Sequence, residues 1–118
     1  MTPTEFRRLA LSLPRALEKA HMGHPDFRVG KKIFATLGYP DATYGTVMVK
    51  PHEQDLLVKK HPRAFSPVRG AWGQSGATSV KLSRAPRRAV AFALESAWHH
   101  RASPKLVADY PTAKASVE

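Results

Sequence analysis

Residues 23–38 read GHPDFRVGKKIFATLG, in which two strand-like apolar runs flank a glycine and two lysines. This pattern predicts a β-hairpin, because apolar residues alternate along both runs as they do on the buried face of a strand. A loop of residues 30–32 puts the whole apolar set on one face, namely Phe27, Val29, Ile33, Ala35 and Leu37. We therefore predict both lysines at the hairpin tip, with Arg28, Phe34 and Thr36 on the opposite face.

Upstream of the hairpin, the sequence predicts a helix over residues 3–13 and a weak strand over residues 16–22. Thr2 can cap this helix, Pro3 suits its first turn, and Glu5 completes a capping box. Downstream, residues 44–50 predict a strand with Val47 and Val49 pointing inward.

The second half of the chain predicts a helix over residues 53–60, buried through Leu56 and Leu57, and a strand over residues 78–82. Between them, residues 65–76 are glycine-rich and predict irregular structure with a tight turn beside Trp72. A long helix over residues 86–101 carries an apolar stripe of Val90, Ala93, Leu94, Ala97 and Trp98. A short helical turn follows Ser103.

For the whole chain we predict the order helix, three strands, helix, two strands, helix. That order is typical of an α+β fold, in which helices pack on a single antiparallel sheet. With 118 residues, the chain is expected to form one domain over residues 1–110 and a frayed tail over residues 111–118.

The charge distribution is the strongest functional signal, with 19 Lys and Arg against nine Asp and Glu and a net charge of +10. No acidic residue lies between Asp55 and Glu95, although that interval holds eight Lys and Arg residues. A one-sided positive potential favours polyanionic partners, nucleic acid first. A solvated basic surface with no partner remains the simpler alternative.

Several function classes are disfavoured by what the sequence lacks. The absence of cysteine excludes disulfides, thiol catalysis and thiolate metal sites. His21 and His24 form an HxxH pair, but Pro25 follows and no carboxylate cluster accompanies it, so we expect no metal or cofactor. Nucleophile-elbow, P-loop and dinucleotide-binding motifs are missing, so we expect no enzyme activity. Without a membrane-length apolar run or a signal peptide, we expect a cytoplasmic protein that does not bind membranes.

Together with AFSPVRGAWGQSGATSVKL at residues 64–82, the hairpin stretch closely resembles the MmcQ/YjbR-like family of small bacterial proteins. The likeness covers about residues 3–107, including LALSLP near the start and RRAVAFALESAWHHRASPKL near the end. It implies the order α-β-β-β-α-β-β-α, in a shape related to secretion chaperones and frataxin. It also implies DNA binding through a double wing of two hairpins. One departure is Ala77, where relatives often carry an aromatic residue.

We predict that this chain, as a monomer or homodimer, contacts DNA mainly through phosphates, with weak sequence specificity. The first wing is the lysine hairpin, the second is the glycine-rich segment with the strand after it, and a third basic group opens the long helix. An aromatic ring of Phe34, Tyr44 or Trp72 can stack on an unpaired base. The predicted contact residues are Arg28, Lys31, Lys32, Arg69, Trp72, Lys81, Arg84, Arg87 and Arg88.

The alternative is a protein-interaction or small-ligand module, which the likeness to secretion chaperones allows. A concave sheet face can hold an apolar ligand, through Phe34, Tyr44, Met48 and Trp72. The outer sheet face distinguishes the two hypotheses, because a basic polar face favours nucleic acid and an apolar pocket favours a ligand or peptide. The sequence leaves this face mixed, with Arg28, Phe34, Thr36, Thr46, Met48 and Lys81 assigned to it.

Overall fold

The computed structural model describes residues 1–110, apart from the side chain of His21. Its elements are α1 (Pro3–Leu11), β1 (Ala16–His21), β2 (His24–Val29), β3 (Lys32–Leu37), β4 (Tyr44–Met48), α2 (Pro51–Lys60), β5 (Phe65–Pro67), α3 (Ala71–Gln74), β6 (Ala77–Lys81), α4 (Arg87–Arg101) and α5 (Pro104–Asp109). The strands form one antiparallel sheet in the order β1-β2-β3-β4-β6-β5, which confirms the predicted fold class. The predicted tail, residues 111–118, lies outside the described residues.

The main core lies between one face of the sheet and helices α1, α2 and α4. The apolar stripe predicted for the long helix is at most 1% exposed, and it comprises Val90, Ala93, Leu94, Ala97 and Trp98. Phe6 of α1 meets Phe27 of β2 with ring centroids 6.2 Å apart. Leu57 of α2 belongs to the same buried cluster. This face of the sheet is therefore closed by helices, as the fold prediction requires.

The helix ends confirm the predicted capping signals. Thr2 Oγ1 accepts a hydrogen bond from the Glu5 amide at 3.1 Å, and the Glu5 carboxylate accepts one from the Thr2 amide at 3.0 Å. Bonding to Thr2 lowers the pKa of the Glu5 carboxyl. Ser103 caps α5 through a 3.2 Å bond from the Leu106 amide. No helix within residues 1–110 is both long enough and apolar enough to cross a membrane.

Helix α2 departs from its prediction at both its start and its buried side. It begins at Pro51, earlier than expected, because proline suits the first turn of a helix. Leu56, predicted to be buried, is 43% exposed, whereas Gln54 is 7% exposed. The Gln54 side-chain amide can be buried because it donates to the carbonyl oxygens of Gly73 at 2.9 Å and Ala77 at 3.0 Å.

The hairpin loop is shorter than predicted. Val29 pairs directly with Lys32, so the loop is residues 30 and 31, and the predicted three-residue loop was wrong. Phe27 nevertheless pairs with Ala35, as predicted, because a β-bulge follows this pair. Lys32 therefore begins β3, and both hairpin lysines are exposed.

The bulge changes which side chains of β3 enter the core. Phe34 is the extra residue of the bulge and is 0% exposed in the main core, so its predicted place on the opposite face was wrong. Ile33 was predicted in the core but packs against a separate small cluster of Met48, Val68 and Ala77. The segment over residues 65–76, predicted to be irregular, contains the short elements β5 and α3.

The sheet face opposite the main core, here called the outer face, carries a polar row beside an apolar patch. Asp26, Thr36, Thr46 and Ser79 are successive cross-strand neighbours, and side chains of neighbouring residues share a face. The apolar patch is the small cluster around Met48. Asp26 and Thr36 of the polar row and Met48 and Ala77 of the apolar patch line the candidate site.

Candidate functional site

The outer face contains an open cavity of about 670 Å³, here called the outer-face groove. Its volume falls within the roughly 300–1,000 Å³ that is usual for ligand sites. The lining comes from β2, β3, β4 and β6, the β2–β3 hairpin, the loop after β3, α3 and its C-terminal turn, and the end of α4. Segments distant in sequence therefore converge on one concave surface.

The groove is lined by apolar side chains, some of them buried in its floor and others well exposed at its edge. Ile33, Met48 and Ala77 contribute its apolar floor. Trp72 and Tyr39 also line it, with exposures of 49% and 48%. Clustered exposed apolar side chains are a usual mark of a binding surface.

The same groove is lined by basic side chains from two separate elements. The hairpin supplies Lys31 and Lys32, and the last residue of α4 supplies Arg101. The Arg101 Nε atom donates to the carbonyl oxygen of Ile33 at 3.1 Å, which ties the end of α4 to the hairpin. The cationic side of the groove is thus partly fixed by tertiary structure.

Asp26 is the one carboxylate among the described lining residues, and Arg28 pairs with it. The Asp26 side chain is 1% exposed, and its two oxygens accept bonds from Arg28 Nε at 2.8 Å and Nη2 at 3.1 Å. This bidentate contact raises the pKa of the Arg28 guanidinium. Because the two charges offset each other, the net positive charge of the groove comes from Lys31, Lys32 and Arg101.

His100, in the last turn of α4 beside Arg101, also lines the groove. Burial lowers the pKa of His100 from its ordinary value, and the positive charges of Arg101, Lys50 and Lys32 lower it further, against an opposing effect of Glu53. These effects favour the neutral imidazole. Within the part of the chain that the structure describes, no three His, Asp or Glu side chains are placed to hold a metal ion.

The glycines of GAWGQSG hold α3 close to the sheet. A Cβ atom on Gly73 would lie 1.6 Å from the Val68 carbonyl oxygen, and one on Gly76 would lie 2.0 Å from that of Val49. Gly76 also has a φ of +115°, which side-chain-bearing residues rarely adopt. These glycines serve close backbone packing, as the predicted tight turn requires, and they position Trp72 at the groove.

The structure brings four of the nine predicted contact residues together. Arg28, Lys31, Lys32 and Trp72 all line the outer-face groove. Trp72 was predicted in the second wing, but it lies in the same groove as the lysine hairpin, which is the first wing. Arg69, predicted in the same wing, is exposed and does not line the groove.

Lys81 and Arg84 lie in a second, shallower depression of about 270 Å³, together with Arg63. The Lys81 Nζ atom is 5.6 Å from the centre of the Tyr44 ring. A cation over an aromatic face is weakly stabilised. This depression has no aromatic or aliphatic side chain in its lining and is distinct from the outer-face groove.

Arg87 and Arg88 begin α4 and line neither cavity. The Arg87 Nη1 atom lies 3.6 Å from Glu5 Oε2, with both side chains well exposed. Such surface pairs contribute little to stability. Arg88 also has an interaction partner. The basic group predicted at the start of the long helix is therefore separate from the groove.

Of the three aromatic side chains predicted to stack on a base, only Trp72 lines the groove. Phe34 is 0% exposed in the core, and Tyr44 is half-buried outside the groove lining. Sequence reasoning missed Tyr39 and Arg101. Arg101 contacts a residue 68 positions away, so no local pattern indicates its place.

Comparison with known proteins gives a family and a structural neighbour. The sequence matches the YjbR family model over residues 11–100. A crystal structure of the Deinococcus radiodurans protein DR2400, a DUF419 domain, superposes with a TM-score of 0.67 and 20% identity, covering 96% of this chain and 83% of that one. At that identity the similarity concerns the fold alone. No curated protein sequence matches the chain significantly.

Proposed function

This chain belongs to the YjbR family, and from that premise we propose that it is a small, non-enzymatic DNA-binding protein of the bacterial cytoplasm. The lysine hairpin contacts the phosphate backbone, and Arg101, which is bonded to the hairpin at Ile33, extends the contact beside it. Affinity arises mainly from charge, so sequence specificity is weak. No cofactor takes part in this binding.

The observation that carries this proposal is the convergence of Lys31, Lys32 and Arg101 on one concave surface. The lining carboxylate of Asp26 is already held by Arg28, so it adds no unpaired negative charge to repel a phosphate. Lysines at a hairpin tip can contact the phosphates of a flexible DNA strand, since each ammonium group donates in three directions. A polyanion fits this arrangement better than a neutral partner does.

The test is fluorescence anisotropy of labelled duplex and single-stranded DNA over a salt series. We expect micromolar or tighter binding at low salt. With about three phosphates neutralised, log K should fall against log salt with a slope of about −2 to −3. Lys31→Glu/Lys32→Glu should weaken binding strongly and flatten the slope.

The matched control is Lys59→Glu/Lys60→Glu, which changes the net charge equally at two exposed positions of α2 outside the groove. This control should retain most of the affinity. Equal losses in both double variants would mean that the overall positive charge attracts DNA without a defined site. No binding at low salt would remove the proposal altogether.

The apolar lining supports a second candidate function, the capture of a small apolar ligand or peptide segment. Trp72, Tyr39 and Met22 are all exposed and line the same groove. A solvatochromic apolar probe tests this function directly, because it brightens when it enters a dry pocket. Probe binding that Trp72→Ala abolishes, in a protein that does not bind DNA, would favour this candidate.

A further inference from the structure

The groove contains more than a phosphate site requires. Contacts with DNA phosphates account for the lysines in the groove. They do not account for the Trp72 ring, which is 49% exposed beside an apolar floor. Building on the proposed function, we propose that the outer-face groove receives an unpaired base against Trp72, so that the protein prefers single-stranded to duplex DNA.

Trp72 is presented by a firmly held segment. Gln54 donates to the carbonyl oxygens of Gly73 and Ala77, on either side of the turn that follows α3. Gly73 and Gly76 allow that turn to touch the backbone of neighbouring segments. An aromatic side chain placed in advance loses less conformational entropy when a base stacks on it. The exposed ring is therefore organised for contact before any partner arrives.

The floor matches the flat, weakly polar surface of a base. Ile33, Met48 and Ala77 supply apolar contacts, and the Met48 thioether suits an aromatic partner. In a duplex, the bases are stacked on one another and their faces are covered. Only an unpaired or unstacked nucleotide can place a base face in this groove.

The charge distribution selects a nucleotide over an apolar peptide. Lys31, Lys32 and Arg101 line the same groove as the apolar floor, so phosphate and base can be held together. A neutral peptide would bury the floor but offer no negative charge to these cations. Single-stranded nucleic acid satisfies both parts of the site, and aromatic stacking tolerates any base sequence.

The experiment compares two single strands of equal length and phosphate number, one of thymidines and one of abasic residues. Both are titrated at one salt concentration, with anisotropy and tryptophan fluorescence recorded together. We expect the thymidine strand to bind about five- to 150-fold more tightly, which is the range for stacking one base. It should also quench tryptophan emission, which the abasic strand should not.

Variants show whether the preference arises at Trp72. Trp72→Ala should remove the preference for the thymidine strand, and Trp72→Phe should restore most of it because a phenyl ring also stacks. Leu56→Ala is the control, since Leu56 is a 43% exposed apolar side chain outside the groove. It should leave the preference unchanged. Circular dichroism verifies that each variant folds.

The possible outcomes separate this inference from the proposed function. Equal affinity for the two strands would overturn base insertion while leaving phosphate-mediated DNA binding in place. A preference that survives in Trp72→Ala would also overturn it, because the base would then lie elsewhere. If neither strand binds, the proposed function fails, and the inference that rests on it fails as well.

Discussion

The two faces of the sheet use tryptophan in opposite ways. On the core side, Trp98 is 0% exposed and its indole N–H donates to the Pro14 carbonyl oxygen at 2.9 Å. On the outer face, Trp72 is 49% exposed at the edge of an open groove. Folding buries the Trp98 ring completely, whereas about half of the Trp72 side chain stays exposed to solvent. This difference separates the residues that stabilise the protein from those available for binding.

The largest expected effect is a difference in stability between alanine variants of the two tryptophans. Trp98→Ala should lower the free energy of unfolding by about 3–5 kcal/mol, because it leaves a cavity in the core and removes the bond to Pro14. Trp72→Ala should lower it by no more than about 1 kcal/mol. Urea denaturation followed by circular dichroism gives both values. Similar losses at the two positions would remove the distinction between the faces.

A pair of glycines sharpens the comparison within the outer face. Gly76→Ala should cost about 2–4 kcal/mol, since it combines a positive φ with a Cβ atom 2.0 Å from a backbone oxygen. Gly30→Ala also puts a side chain at a positive φ, of +62°, but this lies in the allowed left-handed region and the new Cβ meets no atom within 4 Å, so it should cost about 1–2 kcal/mol.

The two glycine variants are compared by thermal denaturation and by DNA affinity. Gly76→Ala should also shift the Trp72 emission, because the turn behind α3 must move to make room. Gly30→Ala should leave that emission unchanged. If Gly76→Ala destabilises the protein no more than Gly30→Ala does, close packing does not hold α3 in place. Trp72 would then not be held in a fixed position at the groove.

The smallest expected effect is a pH dependence of DNA affinity through His100. Burial and the nearby Arg101, Lys50 and Lys32 lower its pKa in the free protein, with Glu53 opposing them. A bound phosphate favours the imidazolium form, so binding raises this pKa and takes up a proton. Affinity should therefore increase as the pH falls through the interval between the free and bound pKa values, by less than tenfold per pH unit.

Dissociation constants measured against pH at fixed ionic strength test this linkage. His100→Gln should flatten the profile, whereas His52→Gln, at an exposed position of α2 outside the groove, should not. A profile that is unchanged in His100→Gln would show that bound phosphate does not approach this end of α4.

Local signals predicted much of the fold. The Thr2–Glu5 capping box and the buried stripe of α4 are confirmed because each depends on residues within a few turns of one helix. The predicted length of the hairpin loop was wrong for a physical reason. A three-residue loop, and a two-residue loop with a bulge, both pair Phe27 with Ala35, so the alternation pattern does not distinguish them. Phe34 changes face between the two arrangements.

The candidate site was less predictable, because tertiary contacts assemble it. The lysines were predicted from their charge at a hairpin tip, and Trp72 from its aromatic ring in the glycine-rich segment. Their placement in one groove depends on where the fold positions α3. Arg101 reaches the hairpin from the far end of α4, which no spacing rule indicates. Tyr39 lies in a loop whose path depends on the strands on both sides of it.

The most direct test is a titration of the ¹⁵N-labelled protein with a single strand of DNA, followed by NMR. The two indole N–H signals report on the two faces of the sheet in one spectrum. We expect the Trp72 signal to shift together with the amides of Lys31 and Lys32, while the Trp98 signal stays fixed. Shifts confined to the depression at Lys81 and Arg84, with the Trp72 signal unchanged, would show that DNA binds outside the outer-face groove.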